Sequence, residues 1–70
     1  NLDYLFRKSD LVEFNNDKWI MKPHVFCNDY YDEQDIFPVI LLINDIGSIF
    51  EFNPDSFINK KTLAPPFDEI

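Results

Sequence analysis

Few side chains in this sequence could support nucleophilic chemistry. His24 is the only histidine and Cys27 is the only cysteine, and they lie three residues apart. A cysteine and a histidine form a nucleophilic pair only when the fold brings them together and a third group orients the histidine. The sequence has no motif typical of such a group or of an oxyanion hole. We therefore interpret Cys27 as a packed side chain and His24 as an edge residue.

A cluster of carboxylates is the next candidate, here for binding a divalent cation. Its members are Asp29, Asp32, Glu33 and Asp35. They lack the alternating ligand positions and the central glycine of a calcium loop. Acidic residues this close together are more typical of a helix N-terminus, where the helix dipole favours negative charge. With one glycine in the chain, a glycine-rich phosphate loop is also excluded. We expect no catalytic residue, no cofactor and no metal.

Aromatic residues are abundant, with eight Phe, three Tyr and one Trp among 70 residues. Exposed rings could stack on sugars, and Trp19, Tyr30 and Tyr31 are the candidates for such a platform. The alternative is that these rings pack in the core. So much apolar surface on so short a chain predicts contact with other polypeptides.

The net charge of −7 argues against direct binding of nucleic acid, which needs clustered Lys and Arg. It is compatible with docking on a basic protein surface. One cysteine excludes an internal disulfide, and no segment has the pattern of a signal peptide. The first residue is Asn1 and not Met, which indicates a fragment, a processed chain or an incomplete sequence.

The stretch Asp35–Ile46 is the element that must position these side chains. Eight of the nine residues from 36 to 44 are apolar, which is typical of a buried helix or a buried strand. A helix is favoured because Asp35 could cap it, Pro38 would lie in its first turn, and Gly47 could follow its last turn in a left-handed conformation. The β-branched residues keep the strand open as an alternative. The run is shorter than the roughly 20 apolar residues that span a bilayer, so we expect no membrane insertion.

The flanking segments predict short elements of both kinds. Leu11–Phe14 and Lys18–Lys22 are rich in strand-forming residues, and the loop Asn15-Asn16-Asp17 between them predicts a β-hairpin. His24–Tyr31 has the apolar spacing of a short helix. Asn53-Pro54-Asp55 predicts a cap with proline at the first helical position, and Lys60–Ala64 predicts a last strand. The predicted fold class is therefore α+β.

We divide the chain into an N-terminal docking arm (1–10), a small α+β domain (11–66) and a C-terminal tail (67–70). For the core we expect Trp19, Ile40 and Ile43. For contacts with other proteins we expect Phe50, Phe52, Phe57 and Phe67.

Four segments carry a resemblance to a known family: WIMKPHVF, DYYDEQDIFPVILLINDI, FEFNP and TLAPP. Over residues 19–66 the chain resembles phage tail proteins of the baseplate wedge family with a LysM-like fold. The resemblance implies a β-α-α-β unit, here preceded by a further hairpin strand. Its elements would be a strand at Trp19–Lys22, tyrosines at 30 and 31, a helix at Asp35–Ile46 ending in Asn44, and a closing strand at Thr62–Pro65.

The resemblance implies a non-enzymatic virion protein, made in the host cytoplasm, that joins neighbouring subunits of a tail or baseplate. Three features differ from the family pattern. Asp32 stands where a glycine usually follows the tyrosine, and Phe37-Pro38 stands where the family has bulky aromatic residues at the head of the helix. The Gly-Asp-Thr start of glycan-binding LysM modules is absent. The alternative is a LysM-type module that binds cell-wall glycan through Tyr30 and Tyr31. A third hypothesis, an acidic mimic that occupies a basic site, is disfavoured because the acids do not form one continuous run.

Overall fold

The computed structural model describes residues 2–14 and 17–70. Asn1 of the predicted arm and Asn15 and Asn16 of the predicted hairpin loop lie outside these ranges. In chain order the helices and strands are α1 (Leu2–Lys8), β1 (Asp10–Glu13), α2 (Pro23–Tyr31), α3 (Phe37–Ile43) and β2 (Lys61–Ala64). Single turns of 3-10 helix connect them, at Asp17–Trp19, Gln34–Ile36, Ile49–Glu51, Pro54–Ser56 and Ile58–Lys60, and a last turn follows at Phe67–Glu69. The predicted α+β class is confirmed.

The two strands form one antiparallel sheet although they lie at opposite ends of the chain. Asp10 pairs with Ala64 and Glu13 pairs with Lys61. Thr62 and Ala64 are buried, so one face of the sheet lies on the core, while Leu11 and Leu63 point to the other face. In chain order, helices α2 and α3 therefore lie between the two paired strands.

The predicted β-hairpin is wrong in its second strand. Residues 17–19 form a 3-10 turn, and Met21 has a left-handed backbone with φ 59°. Met21 N–H donates to the carbonyl of Phe52 at 2.7 Å, so the segment is held by a remote part of the chain. Pro23 then begins α2, where its fixed φ suits the first helical turn. The partner of β1 is β2.

Helix α2 confirms the helix predicted at 24–31, and it ends at an aspartate. Asp32 adopts a left-handed conformation with φ 61°, and its N–H donates to the carbonyl of Asn28 at 3.0 Å. A glycine is the usual residue in that conformation, and aspartate tolerates it better than most.

Helix α3 lies inside the predicted Asp35–Ile46, but both predicted ends are wrong. Glu33 rather than Asp35 caps the preceding 3-10 turn, by accepting from the Asp35 N–H at 3.3 Å. At the other end Asp45, not Gly47, is left-handed, with φ 57°. Asp45 N–H donates to Leu42 and Ile46 N–H donates to Leu41, at 3.1 and 3.0 Å, which is the Schellman arrangement. No helix in the described ranges is long and apolar enough to cross a membrane.

The core is built mainly from aromatic rings. Phe26 and Phe52 are fully buried with ring centroids 5.7 Å apart, and Trp19 meets Phe26 edge-on at 4.9 Å. Ile40 lies in the same cluster and Ile43 is also buried, so the predicted core positions are confirmed. The accessible surface of 4631 Å² matches the roughly 4,600 Å² expected of a compact monomer of this mass.

The three predicted segments are not separate in the structure. Residues 2–8 of the predicted arm form α1, which contacts α3. In the predicted tail, Phe67 packs its ring 6.0 Å from that of Tyr31. The predicted cap at Asn53 is confirmed, because its side chain accepts from the Asp55 N–H at 3.0 Å.

Candidate functional site

The cysteine and the histidine are placed differently by α2. Cys27 is fully buried, and burial raises the pKa of its thiol to about 12. A thiol with this pKa stays protonated at neutral pH and is a poor nucleophile. His24 is exposed, with its ring 6.4 Å from that of Phe37. This agrees with the interpretation of Cys27 as packed and His24 as an edge residue.

The clustered carboxylates do not form one site, and two of them make separate structural hydrogen bonds. Asp29 accepts a hydrogen bond from Trp19 Nε1 at 2.7 Å and pairs with Lys18 at 3.1 Å. The bond from Trp19 and the charge of Lys18 lower the pKa of Asp29. Glu33 is a helix cap, as described above. In the part of the chain that the structure describes, no three His, Cys, Asp or Glu side chains converge as metal ligands.

The two tyrosines differ in exposure and in bonding. Tyr31 donates its hydroxyl to the carbonyl of Pro65 at 2.6 Å, which ties α2 to the end of β2. Burial raises the pKa of Tyr31 above its usual value. Tyr30 is exposed on one side and stacks its other face on Phe26 at 5.5 Å. Of the two, Tyr30 is the one with a ring available to a ligand.

The described residues form an apolar groove of about 450 Å³ that could receive a ligand. It lies on the outer face of the sheet, between α1, the end of α3 and the turns that precede β2. Its apolar lining is Phe6, Leu11, Ile43, Phe57, Ile58 and Leu63, and its polar lining is Asn44, Asp45, Ser56, Asn59 and Lys61. Apolar walls with a few polar groups are typical of binding sites.

Asn44 fixes one wall of the groove to the sheet. Its side-chain amide donates to the carbonyl of Leu63 at 3.2 Å, and its side-chain oxygen accepts the Leu63 N–H at 2.9 Å. The same amide donates to the carbonyl of Ile40 at 2.8 Å within α3. One side chain thus ties the end of α3 to β2 beside the groove.

The opposite wall is set by an unusual backbone. Asn59 and Lys60 are both left-handed, with φ 57° and 58°, and they carry the chain from the last turn into β2. Left-handed geometry is costly for a lysine, so the surrounding contacts must hold it. Ile58, the residue before Asn59, is 87% exposed. Leu11, on the neighbouring strand, is 63% exposed.

The predicted contact residues are distributed between surface and core. Phe50 and Phe67 are exposed, and Phe57 lines the groove while also packing on Phe14 and Phe52. Phe52 is 0% exposed, so the expectation that it contacts another protein is wrong. It lies in an irregular segment, but the rings of Phe14 and Phe26 enclose it there.

Sequence reasoning did not single out four residues that line the groove, Phe6, Leu11, Ile58 and Leu63. They come from α1, β1, the last turn before β2, and β2. The pairing of β1 with β2 brings Leu11 beside Leu63, and no local pattern predicts that pairing. The local sequence carries no clear signal for Leu11, because Asp10-Leu11-Val12-Glu13 does not alternate polar and apolar residues.

Comparisons of this chain with models of protein families, with curated proteins and with solved structures found no match.

Proposed function

We propose that this chain is a non-enzymatic assembly module that joins neighbouring subunits of a bacteriophage tail or baseplate. The groove on the outer face of the sheet supports this proposal most directly. It places Leu11 and Ile58, both largely exposed, beside a concave apolar surface. A surface of this kind is typical of a site that a neighbouring protein covers.

The total accessible surface area of the chain also supports this proposal. Its accessible area is that of a compact monomer, so the exposed apolar side chains do not result from an open or extended shape. Further apolar side chains are exposed outside the groove, at Leu42, Phe50 and Phe67. A module that bridges two neighbours needs more than one such surface.

The resemblance over residues 19–66 supplies the virion context of the proposal, with other virion structural proteins as partners and the virion as location. The charge of −7 supports partners with basic surfaces and disfavours direct contact with nucleic acid.

The test uses the chain tagged at its own locus, with particles separated on a density gradient. The wild-type chain should migrate with tails or baseplates. Ile58→Asp should remain with free protein, because it places a charge in the groove at a position whose exposure lets the chain fold normally. Met21→Asp is the matched control, since Met21 is exposed, lies outside the groove and has a left-handed backbone that aspartate tolerates. Incorporation of Ile58→Asp at the wild-type level would refute the proposal.

A LysM-type module for cell-wall glycan is the second candidate, and the exposed ring of Tyr30 is the observation that favours it. Its test is sedimentation with peptidoglycan sacculi. Tyr30→Ala should abolish binding if the ring stacks on a sugar. Tyr31→Ala is a poor probe because it also removes the hydrogen bond to Pro65.

A further inference from the structure

Among the described residues no strand pairs with the outer edge of β1, and the sheet register identifies the backbone groups on that edge. In an antiparallel pair, residues whose N–H and C=O face the partner strand alternate with residues whose N–H and C=O face away. The backbone N–H and C=O of Leu63 point away from β1, because both are hydrogen-bonded to the side chain of Asn44. Leu11 is paired with Leu63, so the N–H and C=O of Leu11 face the other edge. By the same alternation those of Glu13 do so too.

The two edges of the sheet differ in whether their backbone groups have hydrogen-bond partners. Asn44 covers the edge of β2 at Leu63, and the Lys61 N–H donates to the carbonyl of Ile58. Within residues 2–14 and 17–70, no backbone hydrogen bond joins the outward groups of Leu11 or Glu13 to another element. An open edge of this kind can accept a further strand.

We propose that β1 accepts an extended segment of a partner protein as a third strand, and that this segment carries Lys or Arg on both sides of a large apolar residue. The inference rests on the proposed assembly function and names the partner's binding segment. Strand addition would satisfy the outward groups of Leu11 and Glu13 by main-chain hydrogen bonds.

The side chains of β1 define the sequence of that segment. Leu11 and Glu13 point to the groove face and Asp10 points to the opposite face. A partner residue opposite Leu11 would extend an apolar side chain over the groove, which Leu11 lines. Residues opposite Asp10 and Glu13 would be basic, since opposite charges across a ladder are favourable. In antiparallel orientation the motif is basic, any residue, apolar, basic.

A second copy of this chain is a poorer occupant of the same edge. Each copy would bring its own Asp10 and Glu13 against the β1 of the other copy, and β1 contains no cation. The cation opposite Glu13, Lys61, lies on β2, away from the edge that the second copy would occupy. Like charges across a ladder are destabilising. The net charge of −7 opposes self-association in the same way.

The test measures amide hydrogen exchange of the chain with a blocked peptide, acetyl-Thr-Lys-Thr-Phe-Lys-Thr-amide. The peptide should slow exchange at Leu11 and Glu13 and leave Val12 unchanged, since Val12 already faces β2. A peptide with Glu in place of both Lys should bind about tenfold more weakly. The double variant Asp10→Lys/Glu13→Lys should reverse that preference.

A proline variant separates strand addition from contact with the Leu11 side chain. Leu11→Pro removes an outward N–H and leaves the bonds between β1 and β2 in place, so binding should fall by roughly fivefold more than in Leu11→Ala. Thermal unfolding followed by fluorescence of Trp19 verifies that each variant is folded.

Three results would overturn the inference. The first is a bound peptide that shifts signals of Ile58 in the groove without protecting Leu11 and Glu13, and this result leaves the assembly function standing. The second is equal binding of the basic and acidic peptides. The third is protection of the same amides by rising concentration of the chain alone, which would identify a second copy as the occupant. Failure of the assembly function is detected separately, by the gradient test.

Discussion

Replacing Asn44 by alanine should destabilise this protein more than its partly exposed position indicates. The side chain makes three hydrogen bonds, one to the carbonyl of Ile40 and two to the backbone of Leu63, at 2.8, 3.2 and 2.9 Å. Alanine removes all three and leaves the N–H and C=O of Leu63 without protein partners on the outer edge of β2.

The expected cost follows from those bonds. A net contribution of about 1 kcal/mol for each bond gives an upper value of about 3 kcal/mol. Water can reach part of the site, because Asn44 and Leu63 are only half-buried, and we expect a loss of about 2 kcal/mol. A domain of 70 residues has a total stability of about 4 to 10 kcal/mol. The variant should therefore lose a substantial part of it.

Urea unfolding followed by fluorescence is a suitable assay, because Trp19 is the single tryptophan and is buried. The midpoint should fall with an unchanged slope, which separates a loss of stability from a change in compactness. In a thermal melt the midpoint should drop by roughly 8 to 16 °C.

Asn53→Ala is the matched control for this experiment. Its bonds to Asp55 and Phe50, at 3.0 and 3.3 Å, are local and exposed, so its loss should stay near 1 kcal/mol, about the value of a helix cap. If Asn44→Ala is no more destabilising than Asn53→Ala, the reasoning about the edge of β2 is refuted.

Three further predictions concern stability. Asp45→Gly should raise the free energy of unfolding by about 0.5 to 1 kcal/mol, because glycine is favoured at the left-handed position that Asp45 occupies; an unchanged urea midpoint would contradict this. Gly47→Ala should be neutral or should raise the free energy of unfolding by up to about 1 kcal/mol, because the φ of Gly47 is not left-handed and a Cβ there meets no atom within 4 Å. A clear loss of stability in the same urea assay would count against the structure of this turn. Tyr31→Phe should cost about 1 kcal/mol by removing its bond to the carbonyl of the strand end, whereas Tyr30→Phe serves as the control and should change little.

The last prediction concerns pH. The hydrogen bond from Trp19 lowers the pKa of Asp29 in the folded state, so this carboxylate adds stability above its unfolded pKa of about 3.9 and loses it as the pH falls through the folded value. The difference in urea midpoint between the wild type and Asp29→Asn should be largest at neutral pH and shrink below about pH 4. A pH of about 3 lies roughly one unit below the unfolded pKa. If the difference in urea midpoint stays constant down to that pH, the charge of Asp29 does not contribute to stability.

Local sequence reasoning succeeded where a segment's own residues determine its structure. Pro54 after Asn53 gave a correct cap, and the spacing of apolar residues in 24–31 gave a correct helix. The apolar stretch around Ile40 was correctly placed in the core. Its ends were missed because the left-handed residue was assumed to be Gly47, whereas the hydrogen bonds of the last turn select Asp45.

The remaining errors have a common cause in contacts between distant residues. Trp19 and its neighbours favour a strand locally, but the bond from Trp19 to Asp29 and that from Met21 to Phe52 hold them in a turn. The residues around Phe52 predict neither a helix nor a strand, so its burial is evident only from the tertiary fold. The groove depends on strands that no local pattern pairs.

The pairing of β1 with β2 also bears on the order of folding events. It closes a loop of roughly fifty residues, whereas each helix between the strands forms its own hydrogen bonds between residues close in sequence, so we expect the sheet to form after those helices. During synthesis β1 precedes β2 by that length of chain, and its sheet partner is absent until β2 follows. We expect the carboxylates of Asp10 and Glu13 to oppose pairing between nascent copies during that interval, because like charges across a ladder are destabilising.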